Sequence, residues 1–522
     1  MTALACAPRL NDPAQAVRAS AGSIDINGAL GWPERFRAVH GRAPRVLHIC
    51  NIANYAWVNA SIMRRRGVHC VILDPDFYHV VSSPEWIEAD FDGDYGDDYY
   101  PRWRDVNLNG YERPEWFING PSPFVLSELA AREKGDRISR HVYRTLSNVY
   151  RAGLGAKRGR VSWMRGALES EHPALIKLRR ALRHVLLSRA QHPAAPRAAV
   201  EHVQEGDGRA NAALLPRGIS QSLLDSAFAP FDVILGYGLG ARFPLGAGYP
   251  RFVSLELGTL RGLPFEDSEL GRMARFVYLN SPEVFVTNVD CVEPALQLGI
   301  PQARLTAIPH PFDLKAARSY ARSPPPSPIS GPGPYFFCPA RHHWRKGNAS
   351  WLKGNDVLIR GAAEVASLGY RFRLVMVEWG QELELSRSLI DEVGLTDRVV
   401  WLRPMHRRAM WSVLAGAEAV IDQFGAPAFG GIGLEAMAFG KPLISRIEGA
   451  QLTAFFQTNP PMLEASTPAQ VARRMVEVLT NPTMRSEIGL AGQQWMQSEH
   501  NEDRQIGLQF EVFERLLGTT SG

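Results

Sequence analysis

Lysine is scarce in this chain. Only 7 of its 58 basic residues are lysine and the other 51 are arginine. Arginine is therefore the default cation, and a lysine, with its compact point charge, stands out wherever it occurs. Cysteine is scarce as well. Cys6, Cys50, Cys70, Cys291 and Cys338 include no CxxC pair, which argues against a structural zinc site or a disulfide framework and fits a reducing cytosol. No window supplies the roughly 18 consecutive apolar residues of a spanning helix. The opening MTALACAPRLNDPAQ has no basic region followed by a long apolar core, so no signal peptide is expected. Hydrophobic residues at 45% and charged residues at 21% are ordinary for a globular chain and exclude global disorder and collagen. At roughly 150 residues per domain, 522 residues imply two or three domains.

Net charge is +5, but it is unevenly spread. Residues 132–197 hold 16 Lys/Arg against 4 Asp/Glu, an excess of +12 that leaves the rest near −7. Residues 67–101 hold no cation and a run of acids from Glu85 to Asp98. A basic stretch of this kind suits an anionic surface such as lipid headgroups, or is simply a solvated helical face.

Residues 1–42 read as a poorly ordered lead or short helix. Strands are expected at RVLHICNI, HCVILD, FDVILGYG, RFVSLELG, VFVTN and LTAIPHPFD, with helices between them. This rhythm predicts a parallel sheet over 43–315. Residues of about 120–225 read as a basic helical insertion. The Pro/Gly-rich run SPPPSPISGPGP cannot be helix or central strand, which places a linker at 316–334. A second strand–helix alternation fills 335–500, and an amphipathic helix closes the chain at 501–522. The fold class is α/β, with two doubly wound Rossmann-like domains.

Two segments of the second domain suit a diphosphate, which needs backbone N–H groups and cations. In CPARHHWRKGNASWLKGNDVLI, Arg341 follows a strand and Asn355 is the expected N-cap of a helix. KGN occurs twice, so Lys346 and Lys353 compete; Lys353 directly precedes the helix and is preferred. The second segment is IDQFGAPAFGGIGLEAMAFGKPLI. Its glycines permit close backbone approach, and the helix start offers N–H donors. Glu435, expected in the first turn of that helix, suits two ribose hydroxyls or simply complements the helix dipole. GYGLGA misses the last glycine of a dinucleotide fingerprint. DGD at Asp92–Asp94 lies in an acidic loop, so no metal site is expected.

Together the two segments resemble the C-terminal domain of glycosyltransferase family 4, which has the GT-B fold. The resemblance rests on R…KGNDVLI and FGGIGLEAMAFGKPLI, about 80 residues apart, and extends more weakly to LTAIPHPFD and VFVTNVDCVEPALQLGI. It implies two domains facing across a cleft, a nucleotide diphosphate sugar donor of UDP or GDP type, no cofactor and no metal, and retention of anomeric configuration. It implies Arg341, Lys353 and Glu256 as catalytic residues. Donor binding would fall to Arg341, Lys353, Lys346, Asp422, Gln423, Phe429, Gly430, Gly431, Leu434 and Glu435. Asn51, Asn54 and Tyr55 are the candidates on the acceptor side or cleft. The chain departs from the family where the first Glu of Glu-x7-Glu falls on Pro427, and where Glu256 stands in place of a frequent His.

The expected acceptor is a carbohydrate or a polyprenyl-linked sugar, in surface polysaccharide synthesis, with 132–197 against an anionic membrane and the protein at its cytoplasmic face. Two other readings stay open: a non-catalytic nucleotide-binding relative, and a GT-B epimerase or phosphorylase. No stacking platform or helix-turn-helix accompanies the basic stretch, so no nucleic-acid partner is expected.

Overall fold

The computed structural model describes residues 25–76, 79–91, 93–96, 98–99, 101–155, 214–215, 219–345, 352–425, 430–447, 452 and 455–518. Lys346, Pro427, Phe429, Asp92, residues 1–24 and most of the basic stretch lie outside them.

Two parallel sheets organise the chain. The first has the order β3-β2-β1-β4-β5-β6-β7. Its strands are β1 (Arg45–Ile49), β2 (His69–Pro75), β3 (Phe117–Gly120), β4 (Val233–Tyr237), β5 (Phe252–Leu255), β6 (Glu283–Val286) and β7 (Leu305–Ala307). The second has the order β10-β9-β8-β11-β12-β13. Its strands are β8 (Tyr335–Cys338), β9 (Arg373–Val377), β10 (Val399–Leu402), β11 (Ala419–Ile421), β12 (Leu443–Ser445) and β13 (Leu463–Glu464). Strands covered on both faces read as unbroken apolar runs rather than alternations, and VILGY and YFFC are buried at every position. This is why the strands were legible, and the α/β doubly wound class stands as expected. β3 and β13 were not anticipated; FING and LE are too short to signal.

By packing, the chain divides into two compact units. One comprises 31–259, 263–285 and 512–522; the other comprises 260–262, 286–511 and the residues before Gly31. Each has its own apolar core. Leu47, Val71, Leu126 and Phe243 belong to the first core. Phe336, Leu358, Met376 and Ile444 belong to the second.

One local alternative is decided and two expectations need correction. Part of the lead is a helix, Trp32–His40, because Trp32 and Phe36 are spaced to share one helix face and both are buried. Trp32 meets Phe513 of the C-terminal helix edge-on at 5.7 Å. The expected linker begins with another helix, Leu314–Ala321, opened by the Asp313 carboxylate accepting from Ala316 N–H at 2.9 Å. Asn355 is the first residue of helix Asn355–Ser367 rather than its cap. Gly354 holds the cap position at φ +70°, and Asn355 Oδ1 instead accepts from His343 N–H at 3.3 Å. Among the described residues no helix is long and apolar enough to cross a membrane.

Candidate functional site

In an open parallel sheet the crevice lies beyond the carboxyl ends of the strands where the order reverses. In the second sheet that point falls between β8 and β11. β8 runs into Arg341 and the loop ending at Lys353; β11 runs into Asp422 and the glycine segment. The topology therefore brings together the two segments singled out above, which lie far apart in the chain.

The two loops are laced by backbone. Lys353 N–H donates to His343 C=O at 2.6 Å, and Phe424 N–H donates to Lys353 C=O at 2.9 Å. Arg446 N–H and Ser445 Oγ both donate to Gln423 C=O, at 3.0 and 2.9 Å. The approach is close enough that a Cβ on Gly425 would lie 2.1 Å from Leu352 C=O. This glycine is thus required by loop packing rather than by a ligand. Gly431 differs: a Cβ there would meet nothing within 4 Å, so the helix start beside it is open.

Lys353 Nζ donates to Gln423 Oε1. Burial lowers its pKa, Asp422 opposes the shift, and Arg341 and Arg261 add to it. Asp422 is 5% exposed. Burial raises its pKa, while the Lys353 charge and the Gly430 N–H, which donates to Oδ2 at 2.7 Å, pull it back. Lys353, Asp422, Gln423 and Gly430 therefore form one contact set, with Arg341 in electrostatic range. Arg261 was missed. It precedes Lys353 by about ninety residues, and no local pattern announces it. Asp290 holds its guanidinium bidentately at 2.6 and 2.9 Å. Three cations against Asp422, with Asp290 committed to Arg261, leave a positive surplus suited to a diphosphate.

Glu435 is the fifth residue of helix Gly431–Ala438, one turn later than expected. Its Oε1 accepts from Arg407 Nε at 2.8 Å. Arg407 is held in turn over the Trp411 ring, 4.9 Å from its centroid. Leu434 is buried beside it. His342 is structural. It is fully buried, its Nδ1 shares a 2.8 Å hydrogen bond with Ser386 Oγ, and burial lowers its pKa to about 4.

The first-unit candidates are placed differently. β1 leads into a turn with three non-glycine residues at positive φ, Cys50, Ala53 and Asn54. Asn51 and Asn54 are buried and spend their amides on the protein. Asn51 Nδ2 donates to Asn54 Oδ1 at 2.8 Å and to Ser82 C=O at 2.6 Å, while its Oδ1 accepts from Trp57 N–H at 2.9 Å. Asn54 Nδ2 donates to Val81 and Ser83 carbonyls at 2.7 and 2.9 Å. Tyr55 opens the following helix. Glu256, fully buried beyond β5, accepts from Gly258 N–H, and its own N–H donates to Phe285 C=O at 2.9 Å.

Comparison with known proteins bears on the second unit. Residues 346–495 match the family model for glycosyl transferases group 1, so this segment carries a domain of that type. Over 173 residues the chain is 26% identical to a 2-deoxystreptamine glucosyltransferase of Streptomyces kanamyceticus, covering 33% of this chain and 45% of that protein. Over 147 residues it is 31% identical to a D-inositol 3-phosphate glycosyltransferase of Acidothermus cellulolyticus, covering 26% and 33%. The chain thus spans less than half the length of these relatives. The crystal structure of a glycosyltransferase from Rickettsia africae ESF-5 aligns with a TM-score of 0.44 at 12% identity, over 61% of this chain and 84% of that one.

Proposed function

We propose that the chain is a family 4 glycosyltransferase, moving a sugar from a nucleotide diphosphate sugar to a carbohydrate or lipid-linked acceptor with retention and without a metal. The observation that carries this reading is the seating of Lys353 against Gln423 and Asp422, within a segment that matches glycosyl transferases group 1. Bond cleavage at the anomeric carbon leaves charge on the departing diphosphate. Cations and N–H dipoles already aimed at that charge lower the barrier with little reorganisation. Lys353 and Arg341 supply the cations, and the open helix start at Gly431 supplies the dipoles. Asp422 and Gln423 face the donor sugar in place of the absent first Glu. Glu435, steadied by Arg407, leaves Oε2 for the ribose hydroxyls. The acceptor belongs to the first unit, in surface polysaccharide synthesis on the cytoplasmic side of a membrane.

The test is thermal stabilisation by UDP, GDP, ADP and TDP, with Lys353→Ala as control. A shift with one nucleotide, lost in the variant, supports the donor site. No shift with any of the four overturns it.

A further inference from the structure

A cavity of about 500 Å³ lies wholly within the first unit, a size typical of small-molecule sites. Phe117, Ile118 and Asn119 of β3 line it, so it runs along the edge strand of the first sheet. No candidate residue above lines it. Its wall holds four arginines (Arg102, Arg104, Arg113, Arg144) against two glutamates (Glu85, Glu128).

The charges divide into two kinds. Arg113 is committed: its Nε and Nη2 donate to Glu85 at 2.8 and 2.9 Å. The others are held loosely. Arg102 and Arg104 each lie 3.5 Å from Asp105, and the Arg104 side chain is 65% exposed. Arg144 lies 3.8 Å from Glu115 and 4.0 Å from Glu128. Long pairs with a part-exposed arginine contribute little and yield readily to a better anion.

One further feature points to a ring. Trp103 lines the cavity too, its indole fixed by Nε1 donating to Ser83 Oγ at 3.2 Å. Its apolar face suits the C–H face of a sugar ring.

We infer that this cavity binds a small polyhydroxylated anion, a sugar acid or a sugar phosphate. The arginines take the acid group and Trp103 the ring. Assigning that saccharide as the acceptor rests on the transferase reading above; the binding itself does not.

Calorimetric titration of the full chain with glucuronate, glucose 6-phosphate, glucose and inorganic phosphate tests it. At least one of the first two should bind ten-fold or more tightly than glucose or phosphate, and whichever is tighter identifies the acid group. Arg104→Glu, at an exposed position, should weaken that binding at least ten-fold, and Asn148→Trp, which fills the cavity, should abolish it. UDP titration of the same proteins reports the second-unit site separately. Glucuronate binding without UDP binding supports this inference and overturns the donor reading; the reverse overturns this inference alone. Binding unchanged in both variants, or inorganic phosphate binding as tightly as glucose 6-phosphate, also overturns it.

Discussion

Both sheets reverse strand order at one point, between β1 and β4 in the first and between β8 and β11 in the second. The two crevices are filled in opposite ways. Beyond β1, Asn51 and Asn54 turn their amides onto the protein and stitch the turn to residues 81–83. Beyond β8, charged side chains are gathered at a cost: burial pushes Lys353 towards its neutral form and Asp422 towards its own. One crevice is satisfied by its own polar groups and the other is electrostatically primed. Topology supplies a place for a ligand, and side-chain chemistry decides whether that place is used.

The comparison can be broken by mutation. The largest expected effect is at Glu435, where the two roles overlap. Glu435→Ala strands the part-buried Arg407 guanidinium, and losing one partner of such a pair costs about 3 kcal/mol. Urea unfolding should show that loss, and Glu435→Gln should recover part of it. Next comes Asn51→Ala, which leaves Trp57 N–H and Ser82 C=O without their partner. The expected loss is about 2 kcal/mol of stability, with nucleotide affinity unchanged by titration. An altered nucleotide affinity would show that the first crevice is not merely structural.

Lys353→Ala should do the converse. Losing charged hydrogen bonds to a diphosphate costs roughly 1.5–3 kcal/mol, or about 10–100-fold in affinity. Its melting temperature should fall less than that of Asn51→Ala. Lys346→Ala should have the smallest effect on nucleotide affinity; the reverse order of the two lysines would show that the first KGN is the working one.

The pH dependence sharpens the contrast between buried and working groups. Burial lowers His48 and His500 to about 3 and His69, His342 and His310 to about 4. Their unfolded pKa is near 6.5, so the unfolded chain binds more protons below that value. Stability contributed by these neutral rings is therefore full above pH 6.5 and lost progressively down to pH 3–4. Asp74, raised by burial to about 7, runs the other way, gaining as pH falls from 7 towards 4. Five histidines against two carboxyls, Asp74 and the likewise raised Asp422, predict a net fall in the urea midpoint between pH 7 and pH 4.5. A midpoint that rises over this range would contradict the buried neutral histidines.

The apolar strands were legible because burial on both faces writes an unbroken run into the chain. The loop segments of the second crevice were legible because a glycine-rich strand-to-helix turn has a local spelling, as in FGGIGLEAMAFG. The choice between a poorly ordered lead and the short helix Trp32–His40 stayed open because the helix's stabilising partner, Phe513, is nearly five hundred residues away.

Sequence by itself determined the parallel α/β class, the segment that carries the group 1 domain, and Lys353 over Lys346 as the lysine nearer a helix start. Only tertiary structure decided that Arg261 joins Lys353, that Glu435 pairs with Arg407, and that Asn51 and Asn54 are spent on the protein. The reason is range. Helix starts, glycine turns and buried strands are set by neighbours within a few residues. Ion pairs and shared burial join groups that only the folded chain brings within a few ångströms.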